Sequence, residues 1–219
     1  MKSFWSSGAK CVVTSVDYRL APENPYPAAI EDAVDSLHWV VKNGEKELGV
    51  NLNRIAVGGS SRSRPSSFNL FLILSTFILS GGNIATVLTL KNAEMDIPIP
   101  LVFQLLIVPV TDNTADVETS SGWAENQFSP WLSPGRMLWY RNKYLPNQED
   151  LRNWDSSPIF APDNLLAKLP KTWIGIAELD ILKEEGIKYG EKIKKVGVEV
   201  EIKVYKGVPH PFMAMDGEK

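Results

Sequence analysis

The chain has little of the chemistry that metals and disulfides need: one cysteine, Cys11, and two histidines, His38 and His210, in 219 residues. A single cysteine excludes an internal disulfide and sets the expectation of a reducing, cytoplasmic setting. The histidines and the cysteine show no clustered ligand spacing, so no metal is expected. Neither sign of charge dominates. The net charge is −3, and lysine and arginine are scattered instead of forming a stripe, which disfavours nucleic acid or an anionic membrane as partner. Residues Met1 to Lys10 hold no apolar stretch suited to a signal peptide, and the apolar core near Phe68 to Leu79 is too short to cross a bilayer. No G-x-x-x-x-G-K-[ST] loop occurs, and residues 62–80 break any G-x-G-x-x-G spacing, so a nucleotide fold is not supported. Repeats and low-complexity runs are also missing.

What remains is an ordinary globular composition, 44% hydrophobic, enough to build the core of one domain over residues 1–219. Cys11–Val16 is rich in β-branched residues and predicts a buried strand, with Cys11 as a small core residue. A helix is predicted from about Ala28 to Leu48, with Ile30, Val34, Leu37 and Val41 on one face, Pro27 in its first turn and His38 at its surface. Further strands are predicted at Arg54–Gly58, Leu101–Val110, Trp173–Ala177 and, alternating with charge near a sheet edge, Val198–Val204. Helices are predicted at Gly81–Lys91 and Lys183–Val196. The second has Glu184–Lys188 and Glu191–Lys195 at pair spacing on a solvated face. Strands alternating with helices imply an α/β fold, a mostly parallel sheet with helices on both faces. Residues of about 120–169, with Trp123, Trp131, Trp139 and Trp154, read as a cap-like insertion over one end of the sheet. The plainer reading is that these tryptophans only anchor a loop to the core.

Gly58-Gly59-Ser60-Ser61 ends the apolar run Ile55-Ala56-Val57, and Gly81-Gly82-Asn83-Ile84-Ala85 resumes after Arg62–Ser80. Without all but one of those nineteen residues the chain reads G-G-S-S-x-G-G-N-I-A, a G-x-S-x-G turn between strand and helix. A serine hydroxyl needs a histidine to take its proton and a carboxylate to orient that histidine. Ser61, Asp180 and His210 supply these groups in that chain order, each just past a predicted strand. Taken singly, Ser61 is also readable as a turn serine, Asp180 as a helix cap and His210 as a loop residue.

Several runs resemble the hormone-sensitive-lipase-like branch of the α/β-hydrolases, α/β-hydrolase fold-3. They are Val16-Asp17-Tyr18-Arg19-Leu20-Ala21-Pro22-Glu23, Tyr26-Pro27-Ala28-Ala29, the split elbow, Ser157-Pro158, Glu178-Leu179-Asp180 and Gly207-Val208-Pro209-His210. The resemblance implies hydrolysis of carboxylic esters without a cofactor. Ser61 would be the nucleophile, Asp180 the acid and His210 the base, with Gly59, Arg62, Gly81 and Gly82 in the elbow and oxyanion region. The expected partner is a small ester, and the oligomeric state is left open. The segment around Trp123 to Trp154 would line the acyl or alcohol pocket.

Two departures stand out. The family carries H-G-G-G upstream of the D-Y-R-L-A-P-E strand, together with opening strands and an N-terminal cap. This chain starts too close to that strand to hold them, which reads as a fragment lacking its first strands. The elbow also carries eighteen residues in excess, or 54 bases, which fits a retained in-frame intron, a real loop over the site being the rival. Either departure implies an impaired hydrolase. The competing reading is a catalytically silent hydrolase-like protein that binds small molecules.

Overall fold

The computed structural model describes residues 11–60, 81–210 and 212–214. Four strands lie in chain order and all pair in parallel: β1 (Ile55–Ser60), β2 (Leu101–Ile107), β3 (Thr172–Leu179) and β4 (Val200–Pro209). Parallel neighbours place all four carboxyl ends on one edge of the sheet, where open α/β sheets hold their ligands.

Helix α1 (Ala28–Leu48) buries Ile30 and Leu37 of the expected face, while Val34 and Val41 are half-buried. Ile30, Ala33, Leu37 and Val40 are buried, and Gly49, at φ 65°, closes the end by donating its N–H to the Glu45 carbonyl. Helix α2 (Gly81–Glu94) connects β1 to β2 and is buried almost all round, because α1 covers the side turned away from the sheet. The connection from β2 to β3 carries α3 (Ser121–Glu125), α4 (Pro134–Tyr144) and α5 (Asp163–Leu166), and α6 (Lys183–Lys195) connects β3 to β4. One core cluster joins α1, α2 and α6 to a single sheet face through Val57, Leu106, Ile174 and Ile176. Burying each of its larger aliphatic side chains contributes roughly 1.5–3 kcal/mol. The opposite face packs Trp173, Ile107 and Ala177 against Phe212. Among the described residues, helical cover there comes from the short turn Phe212–Ala214. No helix among the described residues is long and apolar enough to cross a membrane.

Three expectations need correction. Cys11–Val16 is not a strand: Ser15 makes an isolated bridge, Cys11 is half-buried and Val12 is 47% exposed. β-Branched content favours an extended chain but does not by itself make a continuous ladder. The central strand stops at Ile107, not Val110, because Val108 takes φ 42°, outside the extended region and costly for a β-branched residue. The Glu184–Lys188 pair forms at 2.6 Å, but Glu184 is more than a solvated charge. Its carboxylate also accepts from the Ser120 and Ser121 hydroxyls and the Gly122 N–H, which holds α3 against α6. Those bonds and Lys188 hold its pKa down, to about 2.

The next residue behaves oppositely. Glu185 is buried beside α3, where it accepts the Thr111 and Asp112 backbone N–H groups, and burial pushes its pKa up to about 8. The unfolded chain releases this proton near 4.5, so between there and about 8 the folded state holds one more proton and loses stability as pH rises. Glu185→Gln keeps an oxygen for both N–H groups and has no proton to lose. Its thermal unfolding is expected to lack this fall. Relative to the parent it should gain on the order of a few kcal/mol from pH 5 to pH 8, and parallel pH profiles for the two chains would refute that.

Candidate active site

The register of the last two strands brings together two residues that lie thirty positions apart. Leu179 pairs with Pro209, so Asp180 and His210 leave the sheet side by side. Nδ1 of His210 lies 2.7 Å from Oδ2 of Asp180, and both side chains are buried. A carboxylate oxygen can only accept, so Nδ1 carries the proton and Nε2 is the basic nitrogen of the ring. The other carboxylate oxygen of Asp180 accepts the Leu182 N–H at 3.0 Å, and Asn126 donates to the Asp180 carbonyl. Asp180 is therefore the partner of the imidazole and an acceptor in the turn before α6, but not the helix cap expected: the N-cap is Leu182, with no side-chain cap.

The loop carrying His210 is braced from below. A register irregularity opens the pairing between Ala177 and Leu179, and there Glu178 accepts from Lys206 Nζ at 2.8 Å and from the Gly207 N–H at 2.7 Å. Gly207 sits at φ 67°, a backbone conformation that a side chain would strain. These contacts hold the Glu178 carboxyl below the usual range. Beyond His210, Phe212 stacks at 4.6 Å on Tyr205 and ties the chain back to the sheet. Nothing local in the sequence marks Glu178 for this brace. The later Lys and Gly become its partners only through the irregular register.

At the far side of the same edge, β1 ends at Ser60. Ser61 and Arg62, expected in the elbow, lie outside the described residues. Gly59, Ser60 and Gly81 are packed against one another. A Cβ built on Gly59 would fall 1.9 Å from the Gly81 carbonyl oxygen, and one on Gly81 would fall 2.4 Å from that of Ser60. Gly82 approaches the backbone of Pro109 as closely as 2.8 Å by the same measure. The two halves of the elbow, separate in sequence, thus meet in space, and their glycines permit that approach.

The insertion covers this edge. Trp123 and Met137 pack with Val110 after β2 and with Ile181 and Leu182 after β3, while Trp154 packs on the main core under Lys91. Asn83, the residue after the elbow glycines, donates to the Val110 and Ser156 carbonyls and locks the insertion to α2. Trp131 and Trp139 are about half exposed, at 45% and 57%. Trp123 and Trp154 are thus anchored in the cores. Trp139 borders a cavity between residues 18–22, Asn83 and α4. Arg19, held by Asp32 and Glu31, fixes the 18–22 turn against α1. Among the described residues no cluster of His, Cys, Asp and Glu suited to a metal occurs.

A model of the α/β-hydrolase fold matches residues 4–62 and 80–214, with the break falling in the elbow. An AB hydrolase superfamily protein of Schizosaccharomyces pombe is 46% identical over 209 residues, covering 95% of this chain and 56% of that protein. The esterase LipI of Mycobacterium tuberculosis is 35% identical, covering 96% of this chain and 58% of LipI. Among solved structures, esterase LipW from Mycobacterium marinum superposes with a TM-score of 0.79 at 32% identity, over 95% of this chain and 58% of LipW. Carboxyl esterase 2 from Tuber melanosporum gives 0.78 at 28%, over 91% and 59%. The chain thus spans a little over half the length of these relatives.

Proposed function

The chain belongs to the α/β-hydrolase fold-3 family, and on that premise we propose that it is a serine hydrolase of carboxylic esters that acts through Ser61, His210 and Asp180. The observation that carries this reading is the buried Asp180–His210 pair, 2.7 Å apart on the sheet edge where β1 delivers the chain to Ser61. In the proposed reaction His210 Nε2 takes the Ser61 proton as Oγ bonds to the ester carbonyl carbon. The resulting oxyanion collapses, the C–O bond to the alcohol breaks, and His210 returns the proton to the leaving oxygen. Water, deprotonated by the same imidazole, then attacks the acyl-serine and releases the acid. Asp180 keeps the ring in the tautomer that both steps need.

The split elbow favours a second reading, a protein that keeps the pocket and has lost turnover. In sequence, residues 62–80 replace the single residue that would follow the nucleophile and donate its N–H to the oxyanion, and one such donor is worth about a hundredfold or more in rate. A fluorophosphonate probe separates the two. Labelling of folded chain at Ser61, located by peptide mass and abolished in Ser61→Ala, supports the hydrolase. Folded chain that stays unlabelled supports the silent binder.

A further inference from the structure

We propose that Glu178 is a positioning residue of the Asp180–His210 pair: it fixes the bulge in β4 that sets His210 level with Asp180. Its consequence for catalysis rests on the hydrolase reading, while the geometry stands without it. Thr172 faces Val200 and Ala177 faces Tyr205 along an unbroken ladder. From there β3 advances two residues to Leu179 while β4 advances four to Pro209. β4 therefore holds two residues more than its partner at this point, a bulge. With the ladder unbroken, Asp180 would be level with Val208, and His210 would lie two residues beyond, about 6–7 Å along the strand. The bulge absorbs that surplus, and Nδ1 of His210 comes to 2.7 Å from the Asp180 carboxylate.

Glu178 is the residue of β3 that faces the bulge. Its Oε2 accepts the Gly207 N–H at 2.7 Å and its Oε1 accepts from Lys206 Nζ at 2.8 Å, so one carboxylate grips two adjacent residues of the surplus. The two contacts are unequal. The Lys206 side chain is 81% exposed, and an ion pair so open to water contributes little. The Gly207 bond joins a backbone donor to an ionised acceptor and fixes the main chain three residues before His210. Glycine leaves that turn many other conformations, and a bulged ladder can slip toward even pairing, which would carry the imidazole away from the carboxylate. Glu178 thus selects the register in which the pair forms. It acts through the main chain of β4 and takes no part in proton transfer.

The pair is read directly, by magnetic resonance of the whole chain carrying isotope-labelled histidine. His38 is exposed on α1, so a slowly exchanging Nδ1–H signal reports His210. No turnover is needed, and a chain that never labels with fluorophosphonate still passes or fails this test. Glu178→Ala is expected to lose the protected signal. Glu178→Gln, whose amide oxygen can still accept the Gly207 N–H, is expected to keep it. A role in stability alone would lower the thermal midpoint of Glu178→Ala and leave the signal in place. Where the parent labels with fluorophosphonate, Glu178→Ala should label about ten- to a hundredfold more slowly, the effect of misplacing a reacting group by about 1 Å. Glu178→Gln should stay within about threefold of the parent, since it gives up only the exposed ion pair. Gly207→Ala strains the same turn from the other strand and should weaken the signal as well, which keeps the test decisive if Glu178→Ala does not fold. An unchanged His210 signal in the folded alanine variants, or its loss in Glu178→Gln, would overturn the assignment.

Discussion

Asparagine at position 180 is expected to lower ester turnover by about ten-thousandfold while leaving the fold in place. The reason lies in what faces Nδ1 of His210. Aspartate offers lone pairs there at 2.7 Å, so the proton sits on Nδ1 and Nε2 can accept the serine proton. An amide NH2 in that position would turn the ring to the other tautomer, with the proton on Nε2 and no base toward Ser61. The fold has less at stake. The amide oxygen of asparagine can still accept the Leu182 N–H that Asp180 now accepts at 3.0 Å. Turnover of a 4-nitrophenyl ester and a thermal melt are read on the same preparation. Retention of a tenth or more of the parent's rate would remove Asp180 from the mechanism, whereas a collapse of the melting transition would mark it as structural.

The elements that the sequence displayed best are those whose register needs no distant partner. α1 was legible to its boundaries because an apolar stripe, Pro27 and Gly49 all act within a few residues. β3 was legible from its apolar run and β4 from apolar residues alternating with charge, and the order Ser61, Asp180, His210 pointed to the edge where Asp180 and His210 meet. What stayed hidden depends on pairing across space. The brace from Glu178 to Lys206 and Gly207 exists only through an irregular register between β3 and β4. Glu185 sits beside Glu184 at the start of α6, and nothing local says that one carboxyl will be buried to a pKa of about 8 while the other is held near 2. Asn83, Arg141 and Tyr144 come from α2 and α4 and border one cavity only because the insertion folds back over the sheet. Cys11–Val16 shows the opposite failure. Its composition is that of a strand, but the structure has a bridge at Ser15 and no continuous strand over these residues.

Deleting residues 63–80 and placing alanine at Arg62 is expected to raise the rate of fluorophosphonate labelling by about 10²–10³, the value of one restored oxyanion donor. The described flanks already permit the join. Gly59 and Ser60 touch Gly81, and two residues can easily span a gap that starts from van der Waals contact. The join would put the N–H of residue 62 at the start of α2, where the helix dipole favours negative charge on a bound oxygen. Stability should rise too, by about 1–2 kcal/mol, since a two-residue connection costs less closure entropy than one of twenty. The family match stops at residue 62 and resumes at residue 80, so all but the last of the deleted residues lie outside it. A mature message lacking the corresponding bases would make the shortened chain the natural one. If the shortened chain melts no lower than the parent yet labels no faster, the intervening residues do not limit the site, and the silent-binder reading gains. If it labels more slowly, those residues belong to the working site as a loop of its own.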